Sequence, residues 1–79
     1  MTRANIKDAN DVYIGLIEED NNLFRIMWNK NMRDFDKLKQ LSEDEVFQTF
    51  EEACQSVYKY SHDAKVCETI YFKPKINNT

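Results

Sequence analysis

Asp20-Asn21-Asn22 constrains the fold of this chain more than any other stretch. It lies between two arms, VYIGLIEE and LFRIMWNK, both rich in β-branched and aromatic residues. Asparagine tolerates the positive φ of a tight hairpin turn. With Asn21-Asn22 as a two-residue loop, the register follows by counting outwards: Asp20 faces Leu23, Glu18 faces Arg25, and Gly15 faces Trp28. The second pairing reads as a cross-strand ion pair. The third sets the only glycine of the chain against its only tryptophan, where an indole covers bare backbone.

The same register sorts the faces. Val12, Ile14, Leu16 and Met27 lie on one side with Glu18 and Arg25; Tyr13, Ile17, Phe24, Ile26 and Trp28 lie on the other. Exposed together, the aromatic set would form a larger apolar patch than monomers usually present. It is therefore expected to be the core and to pack on a helix. The aliphatic face is left for residues 31–41, a second copy of the chain, or a partner.

Residues 31–41 are open between helix and strand. Helix is slightly ahead because Met32, Phe35, Leu38 and Leu41 recur every three residues. A clearer helix follows. Ser42-Glu43-Asp44-Glu45 matches the S-x-x-E capping box, with Leu41 and Val46 placed as a hydrophobic staple. Val46, Phe47, Phe50, Ala53, Cys54, Val57 and Tyr58 form its apolar stripe. A second box, Thr49 to Glu52, competes as a later start near residue 50; the longer helix from 43 is preferred. The segment FQTFEEA, through Phe47, Thr49, Glu52 and Ala53, resembles the helix opening of several families, among them the arm-type DNA-binding domains of phage integrases. The matched positions serve capping and packing, so no site residue is carried over. A last strand is expected over 65–73, stopped by Pro74, which has no N–H for a ladder. The fold class is α+β: a small, mostly antiparallel sheet, made of the N-terminal hairpin plus a C-terminal strand, packed on one principal helix in the order ββ(x)αβ. Residues 1–79 read as a single small domain with loose termini at 1–10 and 75–79.

Charge is uneven along the chain. The net charge is −3, but residues 43–52 hold five acids and no base, which leaves +2 on the remainder. Residues 25–39 set Arg25, Lys30, Arg33, Lys37 and Lys39 against Asp34 and Asp36. The overall sign is wrong for a general nucleic-acid binder. The first twelve residues contain no apolar h-region and no run is long enough to span a membrane. Two cysteines, Cys54 and Cys67, do not make a disulfide framework. They read as reduced, buried thiols in a cytoplasmic protein.

Chemistry-bearing patterns are sparse. His62 stands alone beside Asp63, without a nucleophile at a recognisable spacing; helix capping or solvent exposure accounts for it. No cysteine/histidine spacing suggests zinc, and no cofactor or catalytic residue is indicated. The expected function is a stoichiometric protein-binding module and not an enzyme. A small acidic inhibitor fits, of the antitoxin or immunity type or a phage-encoded antagonist of host defence. Glu43, Asp44, Glu45, Glu51 and Glu52 would meet the basic surface of a partner protein, with nucleic-acid-binding proteins among the candidates, and a homodimer is compatible. The alternative is a small nucleic-acid-binding regulator using Arg25, Lys30 and Arg33 beside the aromatic hairpin face.

Overall fold

The computed structural model describes residues 1–69. Asn21 and Asn22 both adopt left-handed φ, 54° and 65°, as a type I′ turn requires. The turn closes β2 (Tyr13–Asp20) onto β3 (Leu23–Trp28). The pairing is Asp20 with Leu23, Glu18 with Arg25 and Gly15 with Trp28, which is the counted register. A Cβ on Gly15 would lie 2.7 Å from the Met27 carbonyl oxygen and 3.3 Å from Trp28 Cε3. The main chain of β3 thus excludes a side chain here even before the indole does.

The terminus expected to be loose at 1–10 contains a strand. Thr2–Lys7 forms β1, an inner strand between β2 and β4 (Lys65–Glu68). Every pairing is antiparallel, in the order β3-β2-β1-β4. Only Ala4 and Ile6 of this polar strand point into the core, and both are fully buried. The expected tail at 75–79 and the distal part of the strand expected over 65–73 lie outside the described residues.

Two irregularities in the β1–β2 ladder rearrange the faces. Ile6 pairs with Gly15 but Lys7 pairs with Tyr13, so Ile14 is an extra residue and the strand side switches around it. Ile14 therefore turns into the core, 7% exposed, and Tyr13 turns outwards, 41% exposed, the reverse of the simple alternation. A matching shift at Arg3 accompanies the placement of its guanidinium 4.4 Å from the centre of the Phe50 ring.

The region 31–41 resolves into α1 (Phe35–Ser42), and α2 (Phe50–Tyr60) begins at the later of the two candidate starts. Thr49 is the N-cap; its hydroxyl accepts the Glu52 N–H at 3.1 Å. The box at Ser42 does not start a helix. Ser42 ends α1, accepts the Trp28 Nε1–H at 2.9 Å, and donates to the Leu38 carbonyl at 2.8 Å. A buried indole N–H needs an acceptor, and that need outweighs the local capping pattern. The intervening chain is extended enough for Phe47 to bridge Phe24. Val46 and Tyr58, expected on the apolar stripe, are correspondingly exposed.

Phe24, Ile26 and Trp28 are all buried, with Ile17, Ala53, Val57 and Leu38 in the same core. The aromatic face is the core face. Trp28 also packs edge-on against Tyr60, with ring centres 6.3 Å apart. The opposite face carries Leu23, Met27 and Tyr13, each at least two-fifths exposed. Among the described residues no helix covers it.

Candidate functional site

Part of the acidic run is engaged within the fold. The Glu45 carboxylate accepts the Tyr60 hydroxyl at 2.8 Å and the Ser56 hydroxyl at 3.4 Å, joining the end of α1 to α2. Glu52 accepts the Gln48 N–H at 3.1 Å, which completes the helix start. Glu51 sits in the first turn of α2, where a carboxylate meets the positive end of the helix dipole. Glu43 and Asp44 remain as exposed acids at the far end of α1. Of the five predicted partner-binding carboxylates, two hold the fold together directly.

The basic residues are less committed. Glu18 and Arg25 face each other across the hairpin, but their expected ion pair is not formed. The Glu18 carboxylate lies 3.4 Å from the Met1 ammonium instead. Among the described residues, the ion pairs join Met1, Arg3, Lys7 and Lys65 to Glu18, Glu19, Glu68 and Asp11. Arg25, Lys30, Arg33 and Lys39 take part in none of them. Lys30 and Lys39 line the same groove as Arg25; Arg33 does not.

That groove has a volume of 580 Å³, within the range of ligand-binding clefts. It runs beside β3, with Arg25, Ile26, Met27 and Trp28 on the strand side and Phe35 and Lys39 on the α1 side. Ser42 and Glu43 continue the α1 wall, and Glu18, Asp20 and Leu23 reach it from the turn end of the hairpin. On α1, Phe35, Lys39 and Glu43 recur every four residues and so share one helix face.

The decisive element is backbone. Both main-chain groups of Phe24 bond Phe47, each at 2.8 Å, on the side away from β2. Alternate residues of a strand direct N–H and C=O to the same side. Ile26 and Trp28 therefore present theirs to the groove, while Arg25 and Met27 face β2. No hydrogen bond from a side chain or another element reaches the backbone of Ile26 or Trp28 among the described residues. Unpaired edge groups of this kind are a template for another strand. Residue-type patterns gave no sign of the site, because its defining groups belong to the main chain and its walls come from separate elements. The three-residue recurrence that suggested α1 was the nearest signal.

The remaining candidates are placed as follows. His62 is exposed beyond the end of α2. Cys67 is exposed, not buried as expected, because it pairs with Asn5 on the outer side of the sheet; Cys54 is half-buried, and both are free thiols. Burial, then the nearby Glu68 charge, raises the Cys54 thiol above its ordinary range. Burial also raises the Tyr60 hydroxyl, reinforced by its hydrogen bond to Glu45. Among the described residues no three acidic, histidine or cysteine side chains are grouped to hold a metal, and no helix is long and apolar enough to cross a membrane.

Comparison of the chain with protein-family models, with curated proteins and with solved structures found no match.

Proposed function

We propose that this chain is a stoichiometric protein-binding module acting in the cytoplasm, and that it docks its partner along the open edge of β3. The observation that supports this most is the pairing of unsatisfied strand groups at Ile26 and Trp28 with an adjoining 580 Å³ groove. Main-chain bonds along such an edge supply affinity, and the flanking pockets supply selectivity. This moves the contact away from the acidic run, whose Glu45 and Glu52 are engaged within the fold. The nucleic-acid alternative keeps Arg25 and Lys30 together but loses its stacking platform. Phe24 and Trp28 are 8% and 7% exposed, too buried to stack on bases.

Affinity capture of the whole chain from its native cells, with and without nuclease, tests the reading when followed by native mass spectrometry. The expected result is a nuclease-resistant complex of fixed stoichiometry that weakens in Met27→Lys, a change at an exposed position beside the edge. A complex that disappears with nuclease, or that ignores Met27→Lys but is lost in the triple variant Glu43→Lys, Asp44→Lys, Glu51→Lys, contradicts the docking surface proposed here.

A further inference from the structure

Building on the docking edge just proposed, we infer that its occupant is an extended acidic segment of a partner protein. This segment adds as a strand beside Ile26 and Trp28 and places carboxylates against Arg25, Lys30 and Lys39. Two independent observations carry this.

The first is that the edge already accepts a strand. Phe47 makes a two-bond antiparallel bridge to Phe24, both bonds at 2.8 Å. It shows that a chain can lie alongside β3 at Phe24 at the spacing a ladder needs. On the Leu23 side the chain turns away into α2, whose N-cap is Thr49. On the Ile26 side the antiparallel register falls on residues 43–46, which leave the end of α1 through a turn closed by the Glu45 N–H on the Ser42 carbonyl and add no further pair. Ile26 and Trp28 are the next two outward-facing positions on the same line. An incoming segment would use the groove beside these two positions, whose bonds the 43–46 chain leaves unmade.

The second is charge. Arg25, Lys30 and Lys39 all line the groove and none is ion-paired among the described residues. The carboxylates that also line it are Glu18, Asp20 and Glu43. Glu18 is engaged by the Met1 ammonium at 3.4 Å, and Asp20 sits at the hairpin turn, at one end. The unengaged groups are thus three cations against two carboxylates, a positive surplus on a chain of net charge −3. A basic strand would meet repulsion along this wall; an acidic one meets complementary charge. A second copy of this chain is disfavoured by the same reasoning, since self-pairing at β3 would bring the cationic walls of two copies together.

The test is a titration of the isotopically labelled whole chain, followed by amide NMR. The probe is an end-blocked peptide alternating valine with glutamate, compared with the same peptide carrying lysine in place of glutamate. The expected outcome is selective shift and slowed exchange of the Ile26 and Trp28 amides with the glutamate peptide. Binding of the lysine peptide should be weaker by roughly tenfold or more, the effect of losing about one charge-assisted contact. The variant Arg25→Glu, Lys30→Glu, Lys39→Glu, at exposed positions and checked for an unchanged fold by its spectrum, should reverse the preference. Equal binding of both peptides, binding of neither, or perturbation centred on β4 or on α2 overturns the inference. So does a single-stranded oligothymidine that occupies the groove in place of the peptide. A peptide failure alongside a nuclease-resistant complex of fixed stoichiometry removes the acidic-strand inference and leaves the module reading standing; capture of nucleic acid alone removes both.

Discussion

Among the described residues the sheet has two edges, β3 and β4, and they are built to different ends. The β4 edge is short, four residues long, and three of those four side chains are exposed. Its attachment to β1 is reinforced by surface groups: Arg3 to Glu68 at 2.9 Å and the Thr69 N–H to the Arg3 carbonyl at 3.0 Å. A brief edge carrying charges is a common defence against unwanted pairing. The β3 edge is the opposite. Its inward side chains, Phe24, Ile26 and Trp28, are core residues, and its outward backbone is half-bridged by Phe47 and then left open among the described residues. An edge anchored in the core is rigid, so an added strand meets groups already in place and little ordering cost remains to oppose binding. The contrast shows that exposure alone does not mark a docking surface. The more telling feature is unsatisfied backbone on a strand that cannot move away.

If the β3 edge is rigid because its side chains are the core, removing the largest of them should damage the molecule most. Trp28→Ala is expected to cost about 3–5 kcal/mol, close to the entire stability of a domain this size, and thermal denaturation measures it. Gly15→Ala attacks the same strand through its backbone. The new methyl would sit 2.7 Å from the Met27 carbonyl oxygen, so β3 must shift, at about 1–3 kcal/mol; a variant of unchanged melting temperature contradicts this. Ser42→Ala removes the acceptor of the indole N–H and is expected to cost about 1–3 kcal/mol, the usual penalty for a buried donor left unpaired.

The β4 edge should be far more tolerant. Glu68→Ala breaks the ion pair to Arg3, whose partners are 35% and 52% exposed, and is expected to cost no more than about 1 kcal/mol. A loss as large as that of Ser42→Ala would mean the two edges are not distinct. The smallest effect lies between the helices. The Tyr60 hydroxyl is raised above its ordinary value of 10.0, so the folded state holds its proton more tightly than the unfolded chain. That contribution is complete below the ordinary value and is lost as pH rises through the raised one. Tyr60→Phe should therefore flatten the alkaline decline in a melting-temperature profile.

The hairpin was legible in the sequence because its information is local. Turn chemistry at Asn21-Asn22 sets the register, and the glycine–tryptophan pairing agrees with it. β1 was hidden because four of its six positions are polar or flanking, and it becomes a strand only through pairing on both sides. The helix start was misjudged because two capping patterns compete seven residues apart. The choice between them is tertiary, since Trp28 claims the Ser42 hydroxyl. The exchange of Tyr13 and Ile14 between faces comes from a bulge against β1, a strand that could not be counted until it was known to exist. The candidate site was the least legible part, being made of main-chain groups whose neighbour is missing.

Amide hydrogen exchange along β3 in the free chain tests the open edge most directly. Phe24, bonded to Phe47, and Arg25 and Met27, directed to β2, should exchange slowly, while Ile26 and Trp28 exchange much faster despite side chains that are 6% and 7% exposed. A strand protected uniformly from Phe24 to Trp28 would mean that its edge is already filled, and the docking site would be lost with it.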